Sequence, residues 1–458
     1  MPIRAWGVLG GLLITAMFQH GQVHAGKEPV MRVLVLETNQ LRLRADGDKP
    51  LLVFGMGSAQ KRISTLKIRK KNSQLMIAMN GNAKRWSYLP QKTQLRIKSK
   101  DPRGIWLGKR RYGGELRVFL RSGRLNVVNY VGIEKYLASV VGSEMPKSWP
   151  MDALKAQAVA ARTYALQQIG KKDFYDVNST EKSQVYLGIE AETQSTVNAV
   201  NSTRALVLLY KGRLINAVFH SSSGGETEES GAVWKRQLPY LVSVPGHDQH
   251  SPSYQWKKRF DPHQLKNAFF ETGGLERIQI LSASKTGRVL SVKVDGPRGD
   301  MKLSGKELRR RLGLKSTLVN FELIPLKVRP KKELLNSQYY QSPFRQSPAK
   351  QQPTVILDRH VWSKKLNVDS SEKSYSYSAM PLPPPPLPAL QPLQTLSSPP
   401  PLPPISKNLA LVVKGSGAGH GVGMSQWGAY GLAEKGLDFR RILTHYYKGV
   451  EIRRFSST

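Results

Sequence analysis

The segment from residue 327 to 407 cannot build a packed core, and it therefore decides how the rest of this 458-residue chain must be assembled. It is rich in Gln, Ser, Lys and Pro, and 12 of the 24 residues from Pro381 to Pro404 are proline. Proline fixes φ and removes a backbone donor, so such text favours polyproline II or disorder. Foldable sequence resumes at Leu409. A tail of about 50 residues is marginal as a domain of its own. The expectation is one domain in two parts, residues 110–326 and 408–458, interrupted by a Pro-rich insertion at 327–407.

The front of the chain reads differently. Residues 1–25 carry Arg4, an apolar run from Ala5 to Phe18 and a small-residue end at Ala25, the pattern of a signal peptide. The run is too short for a membrane span of about 20 residues, and no later stretch resembles one, so no transmembrane segment is expected after signal cleavage. An uncleaved anchor is the alternative. Residues 26–109 form a β-rich N-terminal region: MRVLVLE, LLVFGMG and TQLRIKS are short β-type runs separated by polar breaks, and ELRVFLR and LNVVNY continue the pattern to Tyr130. The fold expected is α+β, with this β-rich front joined to a mixed α/β domain.

Zero cysteines excludes disulfides, thiol nucleophiles and thiolate metal sites. With 70 Lys and Arg against 32 Asp and Glu, a net charge of +38 points to an anionic partner. Export favours an acidic polymer or membrane surface over nucleic acid. A solvated basic surface that binds nothing in particular is the plain alternative.

Chemistry is expected first around Ser143 to Leu166, SEMPKSWPMDALKAQAVAARTYAL. It sets Glu144 at the mouth of an alanine-rich helix over Pro150 to Gln168, with Ser148 as N-cap. Apolar residues before Glu144, and Met145, Pro146 and Trp149 behind it, would desolvate its carboxyl and raise its pKa. A structural carboxylate favoured by the helix dipole is the rival reading. Lys155 and Arg162 lie seven residues apart, hence on one helical face, and could share a groove with the acid. A solvated face would explain Lys155 as well, whereas Arg162 among alanines suggests a buried partner.

Two loops add polar groups. His220, Ser221, Ser222, Ser223, Gly224 and Gly225 combine an imidazole, three hydroxyls and two flexible residues after a strand, which suits either a binding loop or a polar turn. Gly415 to Gly431 sets His420, Ser425, Gln426 and Trp427 among seven glycines. No βαβ unit follows it, which rejects a dinucleotide site. Close backbone approach beside an indole, an amide and an imidazole suits sugar recognition, though glycines packing around a core Trp would look the same. His247 and His250 form H-x-x-H around Asp248, weak evidence for a metal without a third ligand in register.

Together, SEMPKSWPMDALKAQAVAARTYAL, FHSSSGGETEE and GHGVGMSQWGAYGLAEKG closely resemble the sporulation protein D and amidase-enhancer (LytB) family. The likeness extends to NVVNYVGIEKYLASVVGSEMP, PYLVSV, LSGKELRRRLGLKST and ILTHYYKGVEI, while residues 30–109 match loosely. The family's characterised enzymes are peptidoglycan lytic transglycosylases. The resemblance implies that Glu144 is the catalytic acid and base, and that Lys155, Arg162, Gln184 and the residues of the two loops bind substrate. Some members carry a Cys and His zinc cluster where this chain reads Asn178 to Gln184, NSTEKSQ, so no metal and no cofactor is expected. The implied partners are peptidoglycan glycan strands, with a cell-wall amidase in the alternative reading of a non-catalytic enhancer. Nucleic acid is not expected. The implied location is the periplasm or cell wall.

Overall fold

Six short β-sheets and eight α-helices organise the chain among the residues that the computed structural model describes, which are 28–57, 59–81, 85–326 and 409–455. The signal-peptide and insertion assignments fall outside those residues. Twelve strands precede the first helix, as the alternating runs predict. Seven strands form one mostly antiparallel sheet, whose centre pairs Val30–Thr38 with Arg124–Gly132 and the latter with Glu115–Arg121. A second sheet of six strands contains Gln40–Ala45, Thr65–Lys71 and Gln74–Met79. Alternate residues such as Leu41, Leu43, Leu66 and Ile68 from one sheet, and Val118, Leu125 and Val127 from the other, enter a shared core.

The helical layer begins where the second of these sequences ends. Helix α1 (Ile133–Glu144) follows strand Arg124–Gly132 directly, and α2 (Met151–Gln168) follows after a six-residue turn through Pro146 and Pro150. Pro150, rather than Ser148, is the residue that enters α2, and no side chain caps it. Proline suits this place because its fixed φ is compatible with a helix start and its missing N–H would have no intrahelical partner. Ala153, Ala156, Ala158, Ala160, Ala161 and Ala165 are all fully buried. Small side chains on several faces let neighbours enclose a helix, and α2 packs against α1, α3 (Gln194–Ser202) and two helices from beyond the insertion, α7 (Gln426–Glu434) and α8 (Phe439–Tyr446).

Between these lie three shorter helices, α4 (Ser230–Val233), α5 (Pro262–Ala268) and α6 (Gly305–Leu312). With the three-stranded sheet Arg277–Ala283, Val289–Gly296 and Gly299–Ser304, α5 and α6 build a second, smaller core around Phe260, Phe269, Val292 and Leu308. The hairpin expected around Gly287 is present, with Gly287 at φ +84°. Strand Leu409–Ser416 is the middle of another sheet, between Gln255–Phe260 and Val319–Pro325. Text after the insertion thus fills a gap left by text before it. Among the described residues, no helix is long and apolar enough to cross a membrane.

Candidate functional site

Glu144 is the last residue of α1, not the first group of the alanine-rich helix, which begins at Met151. This reverses its relation to the helix dipole. The negative end of α1 disfavours a carboxylate there, where the start of α2 would have favoured one. Burial pushes the carboxyl's pKa above its ordinary value; hydrogen bonds from Val185 and Gln426 oppose that shift, and the negative charge of Glu181 adds to it. Val185 N–H donates to Oε1 at 2.9 Å and Gln426 Nε2 to Oε2 at 3.2 Å, so each carboxyl oxygen has one protein donor.

The first donor is held by the loop before it. Gln184 is fully buried; its Oε1 accepts from Tyr136 Oη at 2.8 Å and its Nε2 donates to Ala161 O at 3.2 Å. Gln184 therefore positions Val185 against the acid and has no free edge for a ligand. The second donor stands at the start of α7. Ser425 Oγ accepts from Gly428 N–H at 3.2 Å and caps that helix, which directs the following Gln426 side chain to Glu144. Trp427, next in line, packs edge-on to Trp149 at 4.8 Å between centroids, and Tyr430 lies 5.2 Å from Trp149. An aromatic wall thus stands beside the acid.

The loop of the 220s is tied to the same helix. His220 pairs with Ser425 in a short parallel bridge, and Trp427 N–H donates to Ser221 O at 3.0 Å. Asp248 shapes the rest of it: its carboxylate accepts from Ser222 Oγ at 2.5 Å, Gly224 N–H at 2.8 Å and Gly225 N–H at 3.2 Å. Gly224 has φ +79°, and a Cβ there would come within 2.6 Å of Gly417 N, so only glycine lets the two loops meet. Ser222 is consumed by this clamp.

Behind the loops lies a pair of imidazoles. His220 and His420 have ring centroids 5.6 Å apart, and Trp234 stands 5.3 Å from His420. Burial lowers the pKa of both; Arg309 and Arg288 lower that of His420 further, to about 4. Both rings are neutral near pH 7. His220 Nδ1 faces Val422 O at 3.1 Å and its Nε2 has no partner, like the buried Oγ of Ser223. Arg288, 2% exposed, donates to Ser223 O at 2.6 Å, and its Nε lies 3.9 Å from the Glu228 carboxylate.

Lys155 and Arg162 do not meet at Glu144. Arg162 is 1% exposed and bound to Glu134 on α1 through Nε at 3.1 Å and Nη2 at 2.6 Å, with the carbonyls of Leu206 and Val200 taking further donors. The buried partner expected for Arg162 is therefore a structural one. Lys155 approaches Asp152 at 3.7 Å and Phe439 on α8. The H-x-x-H pair also separates: His247 stacks edge-on to His445, His250 faces Tyr430, and Asp248 serves the glycine turn. Among the described residues, no group of three His, Cys, Asp or Glu could hold a metal.

The sequence reading passed over the Val185 amide, the role of Asp248, and Arg288, Arg309 and Trp234. A backbone donor has no sequence signal, and the two arginines are single cations in an arginine-rich text.

A family model described as stage II sporulation protein matches residues 121–210, which hold Glu144 and all of α2. An uncharacterized protein of Brachyspira hyodysenteriae is 28% identical over 76% of this chain and 74% of its own length. The protein named stage II sporulation protein D in Bacillus amyloliquefaciens is 25% identical over 72% of this chain and 76% of its own length. One named amidase enhancer in Bacillus subtilis is 29% identical over 70% of this chain, which spans 40% of that relative's length. With the motifs that surround Glu144, the Asp248-clamped loop and the start of α7, these matches support the stage II sporulation protein D and amidase-enhancer (LytB) family as the one this chain resembles.

Proposed function

We propose that this protein is an exported lytic transglycosylase that cleaves the bond between N-acetylmuramic acid and N-acetylglucosamine in peptide-denuded glycan strands, working in the periplasm or cell wall. The observation that carries the reading is a single carboxyl, Glu144, with its pKa raised by burial and one donor on each oxygen. A raised pKa keeps a carboxyl protonated nearer neutrality, as a general acid requires. Protonated Glu144 gives its proton to the glycosidic oxygen while oxocarbenium character develops at C1 of the muramic residue. The resulting carboxylate, steadied by Val185 N–H and Gln426, takes the proton of the C6 hydroxyl. O6 then bonds to C1 and closes a 1,6-anhydro ring. Neither water nor a second carboxylate nucleophile enters this route. The amide of Gln426 can serve both states, since its nitrogen donates to the carboxylate and its oxygen, after rotation, accepts from the acid. Trp149, Trp427 and Tyr430 supply faces on which pyranose rings stack.

A second reading is favoured by the relative named amidase enhancer. In it the same cleft holds glycan without cutting it and stimulates a partner amidase. Purified protein incubated with amidase-treated strands separates the two, with mass spectrometry for anhydromuramic ends. Such ends from wild type, falling by about 10²- to 10⁴-fold in Glu144→Gln, support cleavage. Glycan binding and amidase stimulation without new ends would leave the enhancer reading.

A further inference from the structure

A groove of about 1030 Å³ lies beyond Tyr164 and Trp234 and carries Lys171, Lys211, Arg213 and Arg236 on its walls. No acidic side chain lines it, and none of the four cations forms an ion pair among the described residues. All four are exposed, so the groove presents four uncompensated positive charges to solvent, whereas the buried Arg162 and Arg288 each face a carboxylate. Partial desolvation lowers the pKa of Lys171, and no carboxylate pairs with it among the described residues. Tyr210 and Tyr240 stack at 5.5 Å in the same wall, and Trp234 is 39% exposed. The volume stands at the upper end of small-molecule pockets, about 300 to 1,000 Å³, and suits a length of polymer better than a compact ligand.

Two of the lining residues tie this groove to the candidate site. Trp234 packs its ring 5.3 Å from His420, whose neighbour in the fold, His220, is bridged to Ser425 beside Gln426. Tyr164 interacts with Ser183, two residues before the Val185 amide that holds Glu144. Trp234 and Tyr164 thus line the groove and also touch the surroundings of the candidate site.

We propose that this groove is an anion-reading extension of the glycan site, which binds the carboxylates of several consecutive peptide-free muramic residues while the aromatic rings stack on the sugars between them. The proposal rests on the glycan reading of the cleft but not on cleavage. It gives peptide removal a physical consequence: each stripped stem leaves one carboxylate, and cations along one groove respond to their number.

The test uses full-length protein carrying Glu144→Gln, so that ligand is not consumed, with and without the four substitutions Lys171→Ser, Lys211→Ser, Arg213→Ser and Arg236→Ser. Binding of amidase-treated strands is compared with binding of the same strands after their carboxylates are converted to neutral methylamides. The expected result is a loss of roughly tenfold or more in affinity for the acidic strands in the quadruple variant, with a shallower salt dependence. The neutral strands should bind both proteins with equal weakness. Equal affinity of both proteins for acidic strands overturns the proposal, as does equal affinity of the intact groove for acidic and neutral strands. Tighter cation-dependent binding of a teichoic-acid polymer or of DNA would also overturn it, by assigning the groove to another polyanion. The exposed positions leave the fold intact, which a melting curve verifies. If wild type forms no anhydro ends but the affinity loss is seen, the groove stands and the cleavage reading fails.

Discussion

Glu144 and Gln426 stand 282 positions apart in the chain and 3.2 Å apart in space. Burial raises the pKa of the carboxyl, and the Gln426 amide, after the Val185 N–H, opposes that rise and favours ionisation. Gln426→Ala removes that opposition and moves the pKa of Glu144 further up. On the proposed cleavage reading, the alkaline limb of the pH profile for anhydro-end formation shifts to higher pH, while the maximal rate falls by about tenfold from the loss of one hydrogen bond to a charged group. An unchanged limb would mean that Glu144 is not the group that titrates.

The same carboxyl costs stability. A group whose folded pKa is raised binds its proton more tightly in the folded state, so stability declines as pH climbs from the unfolded value of 4.5 through the folded one. Glu144→Gln therefore melts at a higher temperature than wild type at pH 7. At pH 4 the two curves converge, and scanning calorimetry at both pH values checks the difference.

His420 works in the opposite direction. Its pKa of about 4 lies below the ordinary 6.5, so the folded state resists protonation and stability drains as pH falls across that window. His420→Gln flattens this acid-side loss. Proton-detected titration of the ring should find it neutral until about pH 4 in wild type.

Arg162→Met leaves Glu134 buried without its cation, at a cost of about 3 to 5 kcal/mol in denaturant unfolding. Lysine cannot reproduce the two-pronged contact and rescues little. The fraction that remains folded keeps the wild-type pH profile of cleavage, the readout that separates a structural arginine from one that touches substrate.

Asp248→Asn swaps one acceptor oxygen for a donor against Ser222, Gly224 and Gly225. The expected loss is about 1 to 3 kcal/mol. Faster amide exchange at Gly224 and Gly225 should accompany it.

Much of the local structure was readable from the text. Residues that alternate in polarity became strands, Gly287 turned its hairpin, and the alanines of α2 announced a buried helix. Glu144 could be picked out by its apolar surroundings, and the partner of Arg162 could be foreseen but not named. What failed was direction. Lys155 and Arg162 share a helical face by spacing, yet which neighbours that face meets depends on α1 and α8, and those supplied Glu134 and Phe439 instead of the cleft. The resemblance makes Gln184 and Ser222 ligands for substrate, whereas in the fold Tyr136, Ala161 and Asp248 hold their polar atoms. A side chain's type says what it can bond, and only the assembled fold says what reaches it first.

The strand Leu409–Ser416 sits between two strands made long before it, and Gln426 follows ten residues later. A chain that emerges from a ribosome or a secretion channel amino end first therefore presents Glu144 well ahead of the amide that tunes it. Until the segment beyond residue 408 has arrived, a sheet lacks its middle strand and the acid lacks a donor. Timing is thus written into the order of the polypeptide: the acid meets its second donor only once the segment beyond residue 408 has joined the strands made before it.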